Sequence, residues 1–142
     1  IGDARLELEA LPERSFDVLV IDAFSSDASP LHLLTLEALD IYWNALPEDG
    51  VLMMHISNRY IKLEPVIARL AQERGLSAAL RRDEGESDEV TPSSWVALTR
   101  QTSRLEELTA DGKWKQLEDP AHEVWTDEYA SILPYLIWEN FL

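Results

Sequence analysis

Two carboxylates, Asp22 and Asp27, stand in the segment FDVLVIDAFSSDASP (16–30), where the apolar run Val18, Leu19, Val20, Ile21 empties into a polar loop. Carboxylates at the carboxyl end of a strand can hold a cation or take a proton from it, and in open α/β sheets that edge is where ligands sit. The local alternative is that each Asp simply ends a strand and caps the turn that follows. His55, Asn58 and Tyr60 come at or just beyond the end of a second apolar run, 51–56, and can line the same cleft. A lone His at such a place is more often a satisfied structural residue than a proton carrier. The chain has no Cys, and His32, His55 and His122 show neither HxxxH nor HExxH spacing, so no metal site is expected.

The elements that must position these groups follow from periodicity. Residues 4–11 alternate as Ala-Arg-Leu-Glu-Leu-Glu-Ala-Leu and fit a short helix or an edge strand. A strand at about 17–22 has the continuous apolar character of one buried on both faces. Thr35 can cap a helix whose apolar face is Leu34, Ala38, Ile41, Tyr42 and Ala45. The turn Pro47-Glu48-Asp49-Gly50 leads into a second buried strand, Val51 to Ile56. A second long helix opens with Pro65 in its first turn and closes before Gly75. Leu76 to Arg82 and Ser94 to Thr99 read as two strands forming a hairpin across the acidic loop 83–89. Ser103 and Glu106 have capping-box spacing for a short helix. Residues 110–123 read as an irregular connection, Trp95 as a core side chain, and the aromatic tail from Trp125 to Leu142 as packed down. That tail can cover a sheet edge or a neighbouring copy in a homodimer. Strand, helix, strand, helix and two strands imply an α/β fold: a mostly parallel sheet with an antiparallel edge.

The 142 residues suit a single domain (1–142), yet are few for a complete doubly wound cofactor enzyme, and the chain opens on Ile1, as expected of the C-terminal part of a longer protein. The formal net charge of −15 argues against nucleic acid, whose binding needs Lys and Arg to displace counterions, and suits a small cationic ligand. No apolar run reaches the roughly 18 residues of a membrane span, and no signal peptide is visible.

Four segments carry a family resemblance: Gly2-Asp3-Ala4-Arg5, VIDAFSSDASP, HLLTLEALDIYWNALPEDGVLMMHISNRY and WTDEYASILPYL. Together they resemble the C-terminal half of the spermidine synthase-like family, closest to its bacterial subgroup fused to membrane segments. The resemblance implies a partial Rossmann-like sheet of the class I methyltransferase type, mostly parallel, with an antiparallel C-terminal edge hairpin and helices on both faces. It implies Asp22 as the catalytic base and Asp27 as a residue that helps hold the diamine; His55 and Asn58, from their place at the end of the second strand, are read as substrate-binding beside them. Asp3 and Ala4 would meet the nucleoside of decarboxylated S-adenosylmethionine or of S-adenosylmethionine itself. The reaction implied is aminopropyl transfer to a diamine, in the cytoplasm or in the soluble domain of a membrane-anchored parent.

The chain departs from the family pattern at three places. It has no G-x-G turn, so the nucleoside-binding half is expected from upstream polypeptide. Ala23 and Phe24 are inserted between the acids of the D-S-S-D-like loop, and Thr91 stands where polyamine-making members carry Tyr. Two other functions therefore stay open: methyl transfer from S-adenosylmethionine, and a non-catalytic domain that binds polyamines or supports assembly.

Overall fold

A computed structural model of the chain describes residues 3–23, 30–85 and 92–141. Asp27, the inserted Phe24, Thr91, Gly2 and most of the acidic loop lie outside the described residues.

Residues 4–11 resolve as a helix, α1 (Ala4–Glu9), because the Asp3 carboxylate accepts from the Arg5 N–H and caps the first turn. Strand β1 (Val18–Ile21) follows, and then α2 (Leu36–Asn44), capped by Thr35, whose hydroxyl accepts from Ala38 N–H. The buried face of α2 is wider than its sequence pattern implies. Leu39 and Trp43 are buried with Ala38 and Tyr42, whereas Ile41 is only half-buried. Strand β2 (Val51–His55) leads to α3 (Glu64–Glu73), with Pro65 in its first turn; Gly75, at φ +63°, ends it in the left-handed conformation open to glycine.

Strands β3 (Ser77–Asp83) and β4 (Ser93–Thr99) pair antiparallel as the sequence implies, but they do not form a sheet edge. The strand order is β1-β2-β4-β3-β5. The sheet is mixed: among the described residues β1 and β2 are the one parallel pair, and β2/β4, β4/β3 and β3/β5 are antiparallel. A mostly parallel, Rossmann-type sheet is therefore not what forms. Burial explains the insertion of β4, since Val96, Ala97 and Leu98 are fully buried and need neighbours on both sides, while β3 ends in exposed Arg82 and Asp83. The edge beyond β3 is filled by β5 (Trp114–Gln116), three residues within the stretch read as irregular.

Helix α4 (Thr102–Leu108) packs on β3 and β4. Its N-cap is Gln101, which makes no side-chain cap bond, so Ser103 and Glu106 do not form a capping box. Thr102 instead shares a hydrogen bond of 2.9 Å with Ser77 of β3.

On one face of the sheet, Ile21, Leu52, Met54, Val96 and Leu98 join the buried residues of α2 and α3 in the principal core. The opposite face is open at β1: Val18 and Val20 are 51% and 53% exposed. Strand β1 is thus an edge strand buried on one side, not on both. The tail packs down through Trp125, which is buried, and through a bridge from Leu136 to Ile61. Leu133, Trp138 and Phe141 remain exposed.

Candidate functional site

Strands β1 and β2 run in register, with Ile21 opposite Met54. One step further along each strand brings Asp22 beside His55. The Asp22 Oδ1 to His55 Nδ1 distance is 2.7 Å. Parallel pairing therefore places a carboxylate and an imidazole together at the carboxyl ends of β1 and β2, the kind of edge at which parallel α/β sheets bind ligands. The Asp22 side chain is 62% exposed and that of His55 is 20% exposed.

Trp95 lies opposite His55 in the β2/β4 register, and its ring stacks on the imidazole at 4.7 Å with an interplanar angle of 23°. The expectation that Trp95 is a core residue is corrected: it is half-buried and serves as a wall of this site. Alternation along a strand explains the difference, because Trp95 points to the face opposite Val96, away from the principal core.

The residues just after His55 line a pocket of about 710 Å³. Ile56, Ser57 and Asn58 form one side, Arg82 the end of β3, and Ser93 and Ser94 the start of β4. Asn58 shapes this wall: its Oδ1 accepts the N–H groups of Tyr60 and Ile61, both at 2.9 Å, which turns the chain after β2. Ser57 Oγ accepts from Ser94 N–H at 2.8 Å and ties the two sides together.

Asp3 and Ala4 are placed elsewhere in the contact network. Asp3 caps α1 and pairs with His32 at 3.2 Å, and Ala4 is the exposed first residue of that helix. Asp3 therefore already has two internal partners.

The W-T-D tail segment has a role that sequence reasoning did not assign. Trp125 fills the core and its carbonyl accepts from Leu36 N–H at 2.9 Å. Asp127 takes a two-pronged contact from Arg5, at 2.8 and 2.5 Å, and a hydrogen bond from the buried Thr35 hydroxyl at 2.7 Å. Its N–H donates to Glu37 Oε2. Arg5 first, and then Thr35, hold the Asp127 carboxyl down to about 2. The tail thus fastens α1 to the N-terminus of α2.

Among the described residues no three His, Cys, Asp or Glu side chains cluster in a way that could hold a metal ion, and no helix is long and apolar enough to cross a membrane. No protein-family model matches the chain, and no curated protein matches it. A solved structure does. The chain is similar to a probable spermidine synthase from Corynebacterium glutamicum, with a TM-score of 0.60 and 15% sequence identity over 92% of this chain and 54% of that one. This chain spans about half the length of that protein, and the likeness at this identity is one of fold.

Proposed function

We propose that this chain is the C-terminal part of a spermidine synthase-like aminopropyltransferase domain that binds a small cationic amine at the Asp22–His55 edge. The observation that carries the reading is the meeting of Asp22 and His55 at the carboxyl ends of two adjacent parallel strands. The fold shared with a probable spermidine synthase supports it. A primary amine, with a pKa of roughly 10, arrives protonated and cannot attack carbon. A site that hands an amine the alkyl group of a sulfonium must hold the ammonium and remove its proton, and a carboxylate–imidazole pair does both. Asp27, five residues on in the sequence, is proposed as a second anchor for the diamine. The net charge of −15 favours such a ligand over any polyanion.

The nucleoside end belongs, in this reading, to an upstream half of the same polypeptide. Three observations support this: the absent G-x-G turn, the engagement of Asp3 within α1, and the outer edge of β1, which pairs with no strand among the described residues and carries the exposed Val18 and Val20. A strand with apolar residues and a free backbone edge is suited to pairing with another strand. The domain would work in the cytoplasm, free or attached to a membrane-anchored parent.

Thr91, in the place of the family's Tyr, favours a second reading, methyl transfer from S-adenosylmethionine. Calorimetry on the polypeptide carrying its upstream half separates the two. Tighter binding of decarboxylated S-adenosylmethionine is expected for aminopropyl transfer, whereas tighter binding of the carboxylated form overturns it.

A further inference from the structure

The tail is tied down by its backbone and yet turns large apolar side chains outward. Leu133–Tyr135 and Trp138–Phe141 are single 3₁₀ turns. They are anchored on either side of the Ile61–Leu136 bridge: the Lys62 N–H donates to the Tyr135 carbonyl and the Ile137 N–H to the Tyr60 carbonyl, each at 2.8 Å. Leu136 packs against the core, but Leu133, Trp138 and Phe141 are 66%, 63% and 52% exposed. Residues three apart in a 3₁₀ turn lie one above the other, so Trp138 and Phe141 share a side. Their rings are 6.0 Å apart, and Phe141 meets Tyr60 at 5.0 Å. Apolar side chains exposed singly are ordinary, whereas a cluster held by an anchored backbone marks an interaction surface. Beside the cluster lies a hollow of about 550 Å³, walled by Pro65, Pro134, Ile137 and Trp138 with the exposed Lys62 and Glu139. Neither Lys62 nor Glu139 makes an ion pair among the described residues.

We infer that this face is a two-fold interface between copies of the chain, with Lys62 of one copy set against Glu139 of the other. In a two-fold contact the same patch serves both partners, so each pairing occurs twice. The patch holds what self-complementarity needs: a projecting Leu133 next to a hollow it can fill on the other copy, and an unpaired cation in the same wall as an unpaired anion. Charge points to this face as well. Over the whole chain 27 acids outnumber 12 bases, so two copies repel one another in most orientations. Here Arg59, over the Tyr60 ring, and Lys62 balance Glu139 and Glu123, and Glu123 is engaged by the Tyr129 hydroxyl. The backbone anchors set the surface before association, so little ordering entropy is lost when it is covered. The interface is separate from the Asp22–His55 edge and does not depend on the amine reading.

Sedimentation velocity on the chain, from about 1 µM to about 100 µM, is expected to show a monomer–dimer equilibrium. Trp138→Ala should raise the dimer Kd on the order of 10-fold or more, as loss of a central aromatic does, and leave the urea unfolding midpoint of the monomer in place. Lys62→Glu and Glu139→Lys each set like charges together at both symmetric contacts, and each should weaken the dimer by about 3-fold or more. The double variant restores opposite charges and should return to within about 3-fold of the parent. A chain that stays monomeric throughout the range overturns the inference, as does a dimer that Trp138→Ala leaves equally tight. A dimer dissolved by Val18→Lys and spared by Trp138→Ala belongs to the β1 edge and overturns it too. A double charge variant no tighter than the single ones overturns the two-fold pairing of Lys62 with Glu139.

Discussion

Replacing Asp127 by Asn removes a charge from the fastening of α1 to α2 while keeping the side chain's shape. In the folded chain the carboxyl lies at about 2 instead of its ordinary 3.8, because Arg5 and then Thr35 donate to its charged form. A shift of that size, at roughly 1.4 kcal/mol per pKa unit, sets a ceiling of about 2.5 kcal/mol. Asp127 is 39% exposed, however, so solvent screens the pair and the expected cost of Asp127→Asn near neutral pH is about 1 kcal/mol. With a urea m-value of roughly 2 kcal/mol/M, that lowers the unfolding midpoint by about 0.5 M. The five Trp residues make fluorescence the convenient probe. Because folding depresses this pKa, the contribution is complete above the ordinary carboxylate range and is lost as pH falls toward the folded value. The gap between parent and variant should stay constant from about pH 7 to about pH 5, then close between about pH 4 and about pH 2. A gap that persists unchanged at low pH, or none at neutral pH, would refute the assignment of this pair as a stabilising contact.

Two further substitutions probe the packing. Trp125, 1% exposed and set edge-on to Tyr135, should cost about 3–5 kcal/mol when cut to Ala, read by urea unfolding, with Phe recovering part of the loss. Gly75→Ala should cost only about 1 kcal/mol: an added Cβ meets nothing within 4 Å, so the penalty is the left-handed backbone alone.

The local grammar of this fold was legible. The Thr35 cap, the Pro65 to Gly75 limits of α3 and the β3/β4 hairpin each depend on residues near one another in the chain, and each forms. Strand order was not legible, because the insertion of β4 beside β2 depends on which strand needs two covered faces, a property of the assembled core. Strand β5 is too short to leave a periodic signal. The capping box failed because the helix starts earlier, at Thr102, whose hydroxyl is bonded to Ser77 of a distant strand. At the site, Asp22 and His55 were singled out separately, and only the parallel register of β1 and β2 brings them together. The partners of Asp127 lie about 90 and 120 residues away in sequence, so no local pattern could announce them.

The most direct test of the amine-activating edge is a single-turnover assay. The polypeptide with its upstream half is mixed with decarboxylated S-adenosylmethionine and 1,4-diaminobutane, and released methylthioadenosine is measured beside Asp22→Asn and a control without diamine. The account predicts diamine-dependent release by the parent and a loss on the order of 100-fold or more in the Asp22 variant. Equal release from parent and variant, or no release from the parent, would contradict it.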